Sequence, residues 1–146
     1  MDVDERLQAV EEIRSLKARY FRFIDTKDWD GFRGLFTADA EMDMSDAQAG
    51  PDAGVTRGAA VITEYVRAAM ERMQSVHHGH MPEIDVTSPT TASGVWAMDD
   101  ELRWTNRSGQ ARRLHGYGHY FETYARVDGQ WLISATRLTR LLVESD

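Results

Sequence analysis

The spacing of apolar residues predicts three helices in the first half of the chain. From Asp4 to about Ile24, apolar side chains recur every three or four positions, which is the period of an amphipathic helix with one buried face. The same period continues in a short aromatic segment over 29–36 and in a run over about 58–74. The apolar positions of the first helix are Leu7, Val10, Ile13, Leu16, Tyr20 and Ile24.

The period changes to two in other parts of the chain, which indicates strands. Asp128-Gly129 separates two of these runs, and this dipeptide favours a two-residue hairpin loop. The stretch 45–57 is rich in Gly, Asp and Ala, so we expect a loop that is long enough to cover a site. The alternating runs lie near 40–44, 76–86, 91–105, 112–127 and 130–143.

The order of these elements predicts an α+β fold. Helices that precede a series of antiparallel strands pack against one face of the sheet, which has to bend around them. Glycines at 94, 116 and 118, inside the predicted strands, suit such bending. The length of 146 residues, with no linker or repeat, predicts one domain over 1–146.

Charge and composition narrow the class of protein. The 17 basic and 24 acidic side chains give a net charge of -7, which would repel a phosphate backbone, so we expect no nucleic-acid partner. The absence of cysteine excludes disulfides and thiolate nucleophiles. The acidic start lacks the order of a signal peptide, and no apolar run approaches the ~20 residues needed to span a bilayer. We expect a cytoplasmic protein with no membrane partner.

Histidines supply the first candidate chemistry. His77, His78 and His80 stand at the start of one predicted strand, and His115 and His119 lie on another. On a strand, residues two positions apart share a face, so His78 pairs with His80. Imidazole takes and gives a proton near neutral pH, although such residues can also close a sheet end through hydrogen bonds. No carboxylate stands beside them at a diagnostic spacing, and we expect no metal site.

Two acids and a tyrosine are further candidates. Asp100 lies on a strand face whose other members are mostly apolar, and a buried carboxylate needs a partner such as a histidine on a neighbouring strand. The alternative is a bulge that leaves 99–101 in solvent. Tyr20 and Asp25 are near the end of the first helix, where the helix dipole disfavours a carboxylate. Asp25 therefore indicates a hydrogen-bonding or functional role.

Three segments carry a resemblance to a known family. They are RYFRFIDTKDWDGFRGLFTADAEMDM (19–44), VHHGHMPEIDV (76–86) and GHYFETYARVDGQWLI (118–133). They resemble the SnoaL-like group of the nuclear transport factor 2-like superfamily, and within it the branch with scytalone dehydratase and bile-acid 7α-dehydratase. The resemblance covers nearly the whole chain. It implies a cone-like curved antiparallel sheet, of cystatin-like type, in which three N-terminal helices enclose a ligand pocket.

The same resemblance implies a set of pocket residues and a reaction without a cofactor. A histidine removes the proton next to a carbonyl group, and Tyr20 donates a hydrogen bond to the developing enolate. A His–Asp100 pair then protonates the departing hydroxyl, while Asp25 binds the substrate or a water. The strand histidine matches His78 or His80, with His77 the less favoured alignment. The implied catalytic residues are thus Tyr20, Asp25, His78, His80 and Asp100.

The implied ligand is a small hydrophobic molecule with a carbonyl group. Its wall would come from residues that are otherwise ordinary core: Phe32, Met42, Met44, Trp96, Trp104, His119 and Tyr120. Two alternatives remain open: a cyclase or ketosteroid-isomerase-like enzyme with Asp25 or Asp100 as its base, and a non-catalytic binding or assembly module. The resemblance also implies a homodimer or homotrimer.

Overall fold

A computed structural model describes residues 1–47 and 54–146 of the chain. It confirms the α+β prediction and the helices and strands read from periodicity, with shifts of a few residues at their ends. In chain order the elements are α1 (Val3–Asp25), α2 (Trp29–Arg33), β1 (Phe36–Asp43), β2 (Val55–Arg57), α3 (Ala59–Met70), β3 (Gln74–Ser88), β4 (Thr91–Thr105), β5 (Ala111–Val127) and β6 (Gln130–Ser145).

The strands form one six-stranded sheet in the order β2-β1-β6-β5-β4-β3. The sheet is curved and does not close into a barrel, and the helices pack on its inner face. One pairing departs from the antiparallel expectation, because β1 runs parallel to β6. The four long strands β3 to β6 follow one another in sequence and in space, so the predicted hairpin series is confirmed.

The first helix begins and ends at well-defined caps. Asp2 accepts a hydrogen bond from the backbone of Glu5, whose side chain accepts one in return, so both free N–H groups are satisfied. The buried face begins at Ala9, whereas Leu7 stays exposed, so the predicted apolar face is buried over only part of its length. α1 lies mainly against β3, which brings its C-terminal end to the start of that strand. The end of α1 is where the candidate site forms.

The predicted loop over 45–57 is partly wrong. Its last residues, Val55–Arg57, form β2, which pairs antiparallel with β1. Three residues are too few to show an alternating pattern, so periodicity could not reveal this strand. The prediction that the segment covers a site falls largely on 48–53, outside the described residues.

Two glycines occupy positions that other residues would not tolerate. The hairpin between β5 and β6 turns at Asp128 and Gly129, both with positive φ, as the dipeptide predicted. A Cβ atom at Gly118 would lie 1.8 Å from the carbonyl oxygen of Thr139, so β5 and β6 approach closely there.

Among the described helices, none has the length and apolar character that a bilayer-spanning helix requires.

Candidate functional site

The end of α1 and the start of β3 together hold an aspartate–histidine pair. Oδ1 of Asp25 lies 2.6 Å from Nδ1 of His77 and accepts a 2.8 Å hydrogen bond from the hydroxyl of Ser75. Oδ2 accepts the backbone N–H of His77 at 2.9 Å. These hydrogen bonds offset the unfavourable helix dipole at Asp25 and fix the imidazole ring. Because Nδ1 of His77 faces the carboxylate, Nε2 faces the interior. The His77 side chain is only 5% exposed.

Asp100 stands on β4 directly opposite His77. Its predicted position on the inner face is confirmed, since the side chain is almost completely buried. Its partner is an arginine, because Arg140 on β6 reaches both carboxylate oxygens at 2.7 and 3.0 Å. Nε2 of His77 is 3.9 Å from Asp100, which is too far for a direct hydrogen bond. Gly116 is on β5, between the strands that carry Asp100 and Arg140. A Cβ atom at this position would collide with the guanidinium group of Arg140.

Aromatic rings surround the Asp25–His77 pair and the Asp100–Arg140 pair. Phe21 stacks on the ring of His77 with centroids 6.1 Å apart. Tyr20 and Tyr120, both fully buried, meet edge to face at 5.8 Å. Burial, and secondarily the negative charge of Glu122, raises the pKa of Tyr20 well above its ordinary value. Burial also raises the pKa of Tyr120, so both phenols keep their protons near neutral pH and can donate hydrogen bonds.

The favoured histidines lie on the other side of the sheet. The side chains of His78 and His80 are 60% and 56% exposed, so the alignment that put them inside the cone is corrected. Together with His115 they surround Asp99. Nε2 of His80 is 2.8 Å and Nε2 of His115 is 2.9 Å from a carboxylate oxygen of Asp99, and Nδ1 of His78 is 3.5 Å away. Partial burial opposes the effect, but these hydrogen bonds hold the pKa of Asp99 below its ordinary value.

A β-bulge beside the histidines decides which of them points inward. Strict alternation backwards from the buried Val86 passes through Pro82 and then through His80. However, Gly79 pairs with Met98 and Pro82 with Trp96, so two residues of β3 oppose one of β4. The extra residue reverses the alternation before the bulge, so the side chain of His77 lies on the inner face and those of its neighbours on the outer face. One-residue bulges leave no mark in the apolar pattern when the strand start is polar.

The predicted wall residues divide between the two faces. His119 is on the outer face, which corrects its assignment: successive strand residues point to opposite sides, and its neighbour Tyr120 is inside. Met44 and Trp104 are only partly buried. The wall residues that are buried in the interior are Phe32, Met42, Trp96 and Tyr120.

Sequence reasoning missed a buried ion pair next to the tyrosines. Lys17 and Glu122 are fully buried, with Nζ 2.7 Å from Oε2. Glu122 also accepts hydrogen bonds from the hydroxyls of Thr136 at 2.6 Å and Tyr124 at 2.8 Å. Burial lowers the pKa of Lys17, and Glu122 opposes that shift. The only signal in the sequence is position, since Lys17 falls on the apolar face of α1, four residues after Ile13.

The surface carries a groove of about 800 Å³ away from these groups. Leu16, Arg19, Phe23 and Trp131 are among its lining residues, whereas Asp25, His77, Asp100, Arg140, Lys17 and Glu122 are not. The ligand pocket inside the cone stays a prediction. Over residues 1–47 and 54–146, no three histidine, cysteine or acidic side chains are arranged to hold a metal ion.

The family is decided by one comparison. The family model described as a SnoaL-like domain matches residues 5–137. The chain belongs to the SnoaL-like family. A probable cyclase from Gibberella zeae is 25% identical to this SnoaL-like chain in an alignment 143 residues long, which covers 92% of each protein.

Solved structures share the fold of this SnoaL-like chain. A function-unknown protein from Mycobacterium tuberculosis is 28% identical, with a TM-score of 0.78 over 97% of this chain and 76% of that one. A putative scytalone dehydratase from Novosphingobium aromaticivorans is 23% identical, with a TM-score of 0.82 over 98% and 91%. The nuclear transport factor 2-like cone is thus confirmed.

Proposed function

We propose that this protein is a cofactor-independent lyase, a dehydratase or a related isomerase, for a hydrophobic molecule with a carbonyl group. The observation that carries the proposal is the buried His77 ring, whose Nδ1 is held by Asp25 while Nε2 faces the interior. A carboxylate that orients an imidazole and stabilises its protonated form is a common design for a general base. Asp25 thus takes the role of orienting group.

In the proposed reaction, one proton moves out of the substrate and back. Nε2 of His77 removes the proton next to the carbonyl, and the electron pair moves onto the carbonyl oxygen. Tyr20 and Tyr120 donate hydrogen bonds to that oxygen, where preformed donors contribute most. The enolate then collapses, a double bond forms, and the β carbon–oxygen bond breaks. The imidazolium returns its proton to the departing hydroxyl, which leaves as water.

Asp100 and Arg140 set the electrostatics around this step. The Arg140 guanidinium neutralises Asp100 through two hydrogen bonds, so His77 does not lie between two uncompensated carboxylates. Without Arg140, two anions beside the ring would hold the imidazolium and weaken it as an acid. Three buried apolar residues of the same interior favour a hydrophobic substrate: Phe21, Trp96 and Met98.

A direct test uses simple β-hydroxy ketones with an aromatic group, such as 4-hydroxy-4-phenylbutan-2-one, whose dehydration gives a conjugated enone with strong ultraviolet absorption. We expect turnover by the wild type and a fall of about 10²–10⁴-fold in the His77→Gln variant. The matched control is His78→Gln, one position away on the outer face, which should retain the wild-type rate. Loss of turnover in the control, with activity kept in His77→Gln, would contradict the assignment.

A cyclase is a second candidate, supported by the 25% identical probable cyclase. The same proton abstraction next to a carbonyl would then be followed by attack of the enolate carbon on a second carbonyl of the substrate. Product mass distinguishes the two, since dehydration removes water and an initial ring closure does not. A pH–rate profile governed by a group near ~4–5 would point to an aspartate base, whereas one near ~6–7 points to histidine.

The proposal includes a small hydrophobic ligand as partner and a homodimer or homotrimer as assembly, in a cytoplasmic compartment. Light scattering measures the assembly directly. If the wild type turns over no substrate and His77→Gln binds the ligand as tightly as the wild type does, a non-catalytic binding module is favoured instead. These outcomes separate binding from catalysis.

A further inference from the structure

Lys17 occupies a position that packing alone does not require. Its side chain is fully buried on the apolar face of α1, and Nζ lies 3.7 Å from the ring centroid of Tyr20 and 3.6 Å from that of Tyr120. The ammonium group is therefore in contact with the π faces of both proposed hydrogen-bond donors. Removing such a charge from water is costly, and an apolar side chain of similar volume would fill this space at lower cost.

Glu122 fixes the ammonium group in place. Its Oε2 binds both Lys17 at 2.7 Å and the hydroxyl of Thr136, while Oε1 accepts from Tyr124. Tyr124 in turn accepts a 2.9 Å hydrogen bond from the indole N–H of Trp96. Each carboxylate oxygen thus has a partner, which leaves the cation little freedom to leave the two rings.

A cation on the face of a phenol ring attracts the ring electrons. The hydroxyl group then becomes a stronger hydrogen-bond donor, and the two ring planes are fixed relative to the ammonium. The rings of Tyr20 and Tyr120 also pack against Phe21, with centroids 5.6 and 6.0 Å away, and Phe21 stacks on the ring of His77. A fixed cation beneath two donors suits an oxygen that gains negative charge.

We infer that Lys17 is a positioning residue, which orients Tyr20 and Tyr120 and strengthens their hydrogen bonds to a substrate carbonyl oxygen. The inference rests on the proposed function, in which these tyrosines bind that oxygen. The inference adds Lys17 as a residue that does not touch the substrate. It also gives a function to the buried Lys17–Glu122 pair, which takes no part in the proposed proton transfer.

The test measures hydrogen-bond strength without turnover. The probe is 4-(dimethylamino)benzylideneacetone, a coloured ketone whose absorption shifts to longer wavelength when its carbonyl oxygen accepts a strong hydrogen bond. The variants are Lys17→Arg, which keeps a cation, and Lys17→Met/Glu122→Gln, which removes both charges and leaves no unpaired ion. A second neutral pair, Lys17→Gln/Glu122→Gln, guards against a packing defect. The matched control is Lys27→Met, which removes an exposed lysine.

We expect the same red shift in the wild type and in Lys27→Met. The neutral pairs should lose the shift and bind the probe about tenfold more weakly, and Lys17→Arg should recover part of both. Circular dichroism establishes which variants are folded.

Three outcomes would overturn the inference. An unchanged red shift in a folded neutral pair would make Lys17 a core residue only, and the proposed function would stand. No red shift in the wild type would remove the polarising tyrosines, and the oxyanion part of the proposed function with them. Failure of both neutral pairs to fold would show that the charges serve the fold itself.

Discussion

The two faces of the sheet carry similar chemical groups in very different surroundings. On the inner face His77 lies 2.6 Å from Asp25, and on the outer face His80 lies 2.8 Å from Asp99. The inner pair is enclosed by aromatic rings, and the outer pair is in contact with water. Hydrogen-bond length therefore does not distinguish the two pairs, whereas burial does.

This difference teaches where an aspartate–histidine pair is useful. In water, an exposed pair of charges is screened and contributes little. In a buried site, the same groups interact more strongly, and each needs a fixed partner. The inner face supplies these partners through Ser75, Asp100 and Arg140, all from different strands. The outer face holds Asp99 through His80 and His115, and the side chain of His80 is 56% exposed.

The largest expected effect concerns the orienting carboxylates. Asp25→Asn should lower turnover of the β-hydroxy ketone by about 10²–10⁴-fold, because the amide no longer stabilises the imidazolium. Asp99→Asn, the equivalent change on the outer face, should leave the rate within about twofold. Steady-state kinetics of both variants measures the difference. Equal losses would abolish the distinction between the faces.

The second prediction compares two arginine–carboxylate pairs by stability. In Arg140→Met the buried Asp100 loses its partner, and we expect the free energy of unfolding to fall by about 3–5 kcal/mol. Arg113 binds Glu101 at 2.6 Å on the outer face, and Arg113→Met should lower the free energy of unfolding far less, because solvent screens that pair. Urea unfolding at neutral pH gives both values. A cost at Arg113 as large as that at Arg140 would contradict the role of burial.

The smallest effect is an acid-dependent one at the outer face. Because the histidines hold the pKa of Asp99 below its ordinary value of about 3.9, the carboxylate stabilises the fold above that value and loses this contribution as the pH falls through its folded pKa. Asp99→Asn should therefore be less stable than the wild type at pH 6, and this difference should shrink as the pH falls toward 2. Urea unfolding at the two pH values checks the sign, and a difference that grows in acid would refute it.

The helices and long strands could be predicted because their patterns are local. The buried side of an amphipathic helix repeats every three to four residues and that of a strand every two, whatever the rest of the chain does. β2 escaped prediction because three residues carry no period, and the parallel pairing of β1 with β6 is a property of two distant segments.

The candidate site was predicted in part. Tyr20, Asp25 and Asp100 were singled out; both acids lie close to His77, and Tyr20 packs against Phe21, which stacks on it. The family alignment favoured His78 or His80, whereas the pairing of β3 with β4, with its bulge between Gly79 and Pro82, places His77 inside. Arg140 and Lys17 were missed because their partners stand 40 and 105 positions away in the chain.

The sequence by itself determined the element order, the α+β class and the family resemblance, because these depend on neighbouring residues and on motifs. Only the tertiary structure decided which histidine is buried, and which cation neutralises Asp100. Those choices depend on strand register, where a shift of one residue moves every side chain to the opposite face. The free energy of a buried charge depends on its spatial neighbours, and these are brought together only by folding.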